Sequence, residues 1–158
     1  MSRNPEVAAI VNTLVGVWTG RGEGRYPTIE PFIYREETRF AGRDDHPSLH
    51  YEQRTWRPTP DGELVSHWET GLLRISSDGS VSIGNAQGGR AETMSGTWLP
   101  DGDDWIIALT SNGYAGDDRV ISSTREIRLA NSSLSYEMFM RTTAIDAMEL
   151  HLNADLAR

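Results

Sequence analysis

Leu64-Val-Ser-His-Trp-Glu-Thr-Gly-Leu-Leu-Arg-Ile75, then Ser76-Ser-Asp-Gly79, then Ser80-Val-Ser-Ile-Gly-Asn-Ala86 is the stretch that decides the fold. Two period-two runs flank Ser77-Asp78-Gly79, whose side chains and small size suit a tight turn. The connection is too short for anything but a hairpin, so the two runs pair antiparallel. Working outward, the same grammar repeats every eight to twelve residues. The spacing predicts strands over 16–25, 32–41, 48–57, 64–75, 80–86, 91–99, 104–111, 120–129 and 133–142. Pro58-Thr59-Pro60-Asp61-Gly62, Pro100-Asp101-Gly102 and Ala130-Asn131-Ser132 punctuate them. Only the N-terminal residues 5–15 read as a helix. Asn4 is its cap, Pro5 its first position and Glu6 its first-turn acid, with Val7, Ile10, Val11 and Leu14 as the apolar stripe and Gly16 as the stop. With no second helix for βαβ crossovers, the chain is all-β: nine or ten antiparallel up-and-down strands, closed as a barrel or packed as a sandwich.

Composition bounds the chemistry. The chain has 158 residues, no cysteine, and a net charge of −8 from fifteen basic residues, all arginine, and twenty-three acids. That length suits one domain, 1–158, with helix 5–15 and barrel 16–156. Zero cysteine excludes disulfides, thiolate zinc sites, iron–sulfur clusters, covalent haem attachment and a cysteine nucleophile. The acidic balance argues against nucleic acid as a partner. No leader pattern and no apolar run near the roughly 20 residues that span a bilayer are present, so no membrane role and a cytoplasmic location are expected.

Four histidines are available: His46, His50, His67 and His151. His46 falls in a turn with Arg43, Asp44, Asp45 and Pro47 and reads as solvated. His50 opens a strand. His67 shares strand parity with Val65 and Glu69, which leaves its facing undecided. His151 lies in a segment, 146–156, readable either as a strand or as a final helical turn. By alternation Met148, Leu150 and Leu152 face one way, and His151 goes with Glu149 and Asn153. No H-E-x-x-H, G-x-S-x-G or phosphate-loop pattern occurs. Glycines 16, 20, 22 and 24 alternate along one strand face, leaving it bare for close approach by another backbone or a flat ligand.

The run Gly16-Val-Trp-Thr-Gly-Arg-Gly22, followed by Gly24-Arg-Tyr-Pro-Thr-Ile29, resembles the G-x-W-x-G-x-G signature and Tyr-Pro-Thr-Ile segment of the nitrobindin family. The likeness continues in order through Phe32–Phe40, Tyr51–Trp56, His67-Trp-Glu-Thr-Gly71, Ser123-Thr-Arg-Glu126, Leu134-Ser-Tyr136 and His151-Leu152. The resemblance implies a calycin-like, fatty-acid-binding-protein-like antiparallel barrel of about ten strands that binds one ferric haem b per subunit. It implies His151 as the axial iron ligand, Thr28 as a haem contact and His67 on the distal side. Gly16, Trp18, Gly20 and Gly22 would shape the barrel. The implied activity is isomerisation of peroxynitrite to nitrate, with nitric oxide as a second ligand; a homodimer is left open. Two other functions share the barrel: a carrier of a small apolar ligand, and a haem or nitric oxide sensor without turnover. A fatty-acid carrier would usually place an arginine inside, and Arg125 and Arg128, three apart on one strand, cannot both point inward.

Three features depart from the family pattern. The segment between Thr142-Thr143 and His151 is one residue longer, Ala147 replaces a common proline, and Ser66 stands at a variable position. An insertion inside a strand would turn His151 outward. The charge of −8 leads to one more expectation: little electrostatic steering of an anionic substrate, hence a weak response to salt.

Overall fold

The computed structural model describes residues 4–42, 46 and 48–158. Arg43, Asp44, Asp45 and Pro47, which the sequence reading grouped around His46, lie outside the described residues. One helix, α1 (Pro5–Leu14), precedes ten strands: β1 (Gly16–Gly24), β2 (Phe32–Gly42), β3 (Ser48–Thr59), β4 (Gly62–Ile75), β5 (Ser80–Gln87), β6 (Arg90–Asp101), β7 (Asp104–Ala115), β8 (Val120–Leu129), β9 (Ser133–Thr142) and β10 (Ile145–Ala157). Each strand pairs with its sequence neighbour, and β1 pairs with β10, closing an antiparallel up-and-down barrel without a free edge. Closure decides between the barrel and the sandwich that alternation alone left open. The segment ambiguous between strand and helix is β10.

In such a barrel, alternate hairpins gather at the same end. The β1–β2, β3–β4, β5–β6, β7–β8 and β9–β10 connections form one rim, and α1 lies at the other, immediately before β1. Asn4 caps α1 by accepting from the Glu6 N–H at 2.9 Å. Its stripe of Val7, Ile10, Val11 and Leu14 is buried as a plug. Trp18, fully buried, donates its indole N–H to the Leu14 carbonyl at 2.8 Å, tying plug to wall. Arg158 donates to the Thr13, Val15 and Asn131 carbonyls and stacks on the Trp18 ring.

Above the plug the inward residues form layers. Leu49, Leu73, Ile75, Ile107 and Leu129 fill the lower barrel as an apolar core. Toward the open rim β2, β3, β4 and β9 turn inward Glu36, Gln53, Glu69 and Tyr136, all buried. Buried polar groups persist only when paired, and these are. Glu36 accepts from Thr38, Gln53 and Tyr136 at 2.7–2.8 Å. Tyr34 Oη shares a hydrogen bond with Tyr136 Oη at 2.9 Å. This polar layer is the floor of the functional cavity.

Candidate functional site

The cavity of about 510 Å³ opens at the hairpin rim, within the size range of small-molecule sites. It brings together three of the residues singled out from sequence: Thr28, His67 and His151 all line it. Thr28 sits exposed in the turn between β1 and β2. His67 on β4 and His151 on β10 come from strands four places apart round a ten-strand ring, so they face each other across the lumen. His46 and His50 are exposed elsewhere; His50 Nε2 pairs with Thr70 Oγ1 at 2.8 Å.

The facing of His151 corrects the alternation argument. Leu150 pairs with Phe139 and Leu152 with Met138, leaving His151 as the extra residue of a β-bulge. His151 and Leu152 therefore both line the cavity, although they are consecutive, while Met148 and Glu149 are exposed. His151 is 2% exposed. A separate register shift lies between Ile145 and Glu149, in the segment where the sequence led us to expect an extra residue. The Arg25 N–H pins the bulge by donating to the His151 carbonyl at 2.7 Å. Nδ1 of His151 lies 3.0 Å from the Glu149 carbonyl oxygen. A carbonyl only accepts, so Nδ1 is the donor, and the neutral ring that makes this bond has its lone pair on Nε2. Tyr26 meets the ring edge-on, centroids 5.1 Å apart, and itself stacks on Phe32.

A second bulge sets the opposite wall. Thr55 pairs with His67 and Trp56 with Val65, so Ser66 is the extra residue. The bulge separates Val65, which faces solvent, from His67 and Glu69, which face inward; strand parity had grouped all three. Ser66 Oγ bonds Thr55 Oγ1 at 2.8 Å. His67 Nε2 lies 3.4 Å from Glu69 Oε2, and Arg125 Nη1 lies 3.1 Å from Glu69 Oε1. Tyr51 donates to the same Oε1. Burial works against the charge on Glu69, but Arg125, then His67 and Tyr51, outweigh it and hold its carboxyl below the usual range. Of the two β8 arginines, Arg125 is the inward one; Arg128 is exposed and pairs with Glu126. Sequence reasoning missed Glu69 and Arg125 as a pair because fifty-six residues separate them.

The signature glycines do a different task. Gly20 and Gly22 face the backbone of β10, where a Cβ would collide with the Asp155 and Asn153 carbonyls, and at Gly22 also with the Tyr34 ring. Another backbone, rather than a flat ligand, takes the bare face at these two positions, which lets β1 and β10 close the barrel. Gly16, Trp18, Gly20 and Gly22 are not among the residues lining the cavity.

The charge of the lining differs in sign from that of the whole chain. Arg57, Arg90, Arg119 and Arg125 stand against Glu69 and Asp117, a local excess of two positive charges. The weak salt response expected from −8 rests on net charge, which averages over the surface and does not register this local excess.

A closed antiparallel barrel, plugged at one end and open at the other onto a cavity with an inward histidine, defines a small ligand-binding β-barrel. The chain belongs to the THAP4-like heme-binding beta-barrel (nitrobindin) family, whose model matches residues 8–158. It is 36% identical over 154 residues to a protein of Arabidopsis thaliana named peroxynitrite isomerase Rv2717c, covering 97% of this chain and 89% of that one. It is 35% identical over 159 residues to peroxynitrite isomerase 1 of Mycolicibacterium paratuberculosis, covering 98% and 96%. The crystal structure of Rv2717c from M. tuberculosis superposes with a TM-score of 0.87 at 34% identity, each chain 99% covered. Among the described residues no helix is long and apolar enough to cross a membrane.

Proposed function

We propose that this protein binds one haem b in the cavity, with His151 as the axial ligand, and isomerises peroxynitrite to nitrate while also binding nitric oxide. The observation that carries the reading is the placement of His151: buried, on the cavity wall, its Nδ1 within hydrogen-bond distance of the Glu149 carbonyl and its Nε2 without a protein partner among the described residues. That is the arrangement of a metal-ligating imidazole with its outer partner in place. The match to a heme-binding family model and to relatives named peroxynitrite isomerase supports the same reading. The donor set fits an iron porphyrin: an inward imidazole, aromatic and thioether wall groups such as Phe32, Met138 and Met140, and no thiolate in the chain.

When bound, ferric haem supplies an open coordination position with Lewis acidity and redox capacity. The chain's own residues do the rest. His151 would hold the group, and Tyr26 against its ring restricts rotation. His67, its Nε2 3.4 Å from Glu69 Oε2, would have Nδ1 left to hydrogen-bond an anion. Thr28, in the turn at the rim, would contact the group. Met138, Met140 and Phe32 keep water from competing.

A carrier of an apolar carboxylate uses the same cavity, but the deep cation it needs, Arg125, is already engaged by Glu69. A haem sensor shares every ligand and differs only in turnover. Protein purified with haem supplied is expected to show a Soret band that His151→Ala loses, and wild type to raise the nitrate yield from peroxynitrite. Equal haem uptake by the variant refutes the ligation; a Soret band without added nitrate yield leaves the sensor.

A further inference from the structure

We propose that Arg57 and Arg90 form an anion-binding clamp at the cavity mouth that takes a flat oxyanion, either a carboxylate or a nitrogen oxyanion. Both line the cavity, Arg57 from the end of β3 and Arg90 from the start of β6. The other two cavity arginines each hold an acid: Arg119 forks onto Asp117 at 2.9 Å through two nitrogens, and Arg125 bonds Glu69 through Nη1 while its Nε has no partner. Arg57 and Arg90 have no ion pair and no side-chain hydrogen bond among the described residues; Asp117, an acid that acts on Arg90, is already engaged by Arg119. Arg57 instead sits over the Phe32 ring, its Cζ 3.9 Å from the centroid, a contact that uses no N–H of the guanidinium for a hydrogen bond. Arg90 is part-buried, and its Nε is shut away from solvent with no partner. Arg57 packs on Phe32, which stacks on Tyr26, and Tyr26 meets the His151 ring; Arg90, on the same cavity lining, acts on the Tyr26 phenol together with Arg57.

A part-buried guanidinium without a partner is costly, and an anion with two coplanar oxygens removes that cost through paired N–H···O bonds. Among the described residues no carboxylate bonds to either guanidinium, although acids outnumber arginines in the chain by twenty-three to fifteen. The clamp rests on the proposed haem function only for which anion occupies it: a propionate of the cofactor, or free peroxynitrite and nitrate.

The test compares wild type, R57Q/R90Q and, as an outer-face control, R74Q, each checked by circular dichroism for fold. The first probe needs no haem. The sulfonate dye 8-anilinonaphthalene-1-sulfonate is titrated into apo-protein and displaced with sodium nitrate. R57Q/R90Q is expected to bind the dye about tenfold more weakly and R74Q like wild type. Wild-type affinity is expected to fall between about 20 and about 300 mM sodium chloride, with the double variant nearly flat. Haem and its dimethyl ester are then loaded, and their transfer to apomyoglobin is timed. Faster loss of haem but not of the ester from R57Q/R90Q assigns the clamp to a propionate. Equal retention of both, with weakened nitrate displacement, assigns it to the free oxyanion. Dye, nitrate and haem behaving alike in wild type and R57Q/R90Q overturns the clamp. Failure of wild type to take up haem would refute the haem reading and leave the dye result standing.

Discussion

The Nδ1 of His151 lies 3.0 Å from the carbonyl oxygen of Glu149, two residues earlier in the same strand. A regular strand points the carbonyl of residue i−2 along the ladder, where an imidazole from residue i cannot reach it easily. The bulge at His151 bends the strand enough to make the bond, and it turns the side chain inward. One local irregularity therefore sets both the direction and the tautomer of the ring.

That origin makes the site indifferent to length upstream of the bulge and sensitive to length within it. Deleting Ala147, in the irregular part before Glu149, is expected to leave the register from Glu149 onward intact and haem uptake within about twofold of wild type. Deleting Leu150 removes a paired residue beside the bulge and is expected to abolish uptake. Soret titration of the two variants checks this; equal behaviour would show that the bulge does not control His151.

The pair Glu69–Arg125 carries a stability prediction. Both side chains are largely buried, at 1% and 11% exposure. Glu69→Gln keeps an acceptor for Tyr51 but strands the Arg125 charge in the lumen, a change expected to cost roughly 3–5 kcal/mol. Adding Arg125→Met removes the stranded charge and is expected to recover roughly 2 kcal/mol of that. Urea unfolding of the four proteins completes the cycle. Additive losses would mean the two side chains are not coupled.

These residues also show what the sequence could and could not convey. Strand positions were legible because Asp78-Gly79, Asp61-Gly62 and Asp101-Gly102 mark turns by their own backbone preferences, and the hydrophobic alternation between them is local. The helix was legible from Asn4, Pro5 and its stripe. The positions of Thr28, His67 and His151 came from ordered motifs. Their facing did not, since a bulge at Ser66 or His151 breaks the parity that a facing argument uses. Glu69 with Arg125, and Arg57 with Arg90, meet only when the barrel closes, and no local pattern encodes that.

The two deep glutamates respond to pH with opposite signs. Glu69 is held below the usual carboxylate range, so its contribution is complete above the unfolded value of about 4.3 and is lost as the pH falls below it. Burial raises the Glu36 carboxyl, against lowering by Tyr136, Thr38 and Gln53. Its native form binds the proton more tightly than the unfolded form, so its contribution is present at and below about 4.3 and declines as the pH rises through the native value. Glu36→Gln removes this decline. The urea midpoint of the variant is expected to gain on wild type between about pH 4 and about pH 8. A difference independent of pH would mean Glu36 titrates as it does unfolded.

The plug and the mouth occupy opposite ends of the barrel, so they can be perturbed separately. Arg158 joins the carbonyls of Thr13 and Val15 at the end of α1 to that of Asn131 in the β8–β9 turn, at 2.8–3.2 Å. Arg158→Ala returns three carbonyls to water and loosens the helix from the turn. Because the position is exposed, the expected cost is modest, about 1–2 kcal/mol, or a fall of roughly 2–6 °C in Tm. None of these groups touches the cavity lining, and the apolar layer of Leu49, Leu73 and Leu129 lies between. Haem affinity by Soret titration below the transition is therefore expected to stay within about twofold of wild type. A large loss of affinity in R158A at a temperature where the barrel remains folded would show that the plug sets the shape of the mouth.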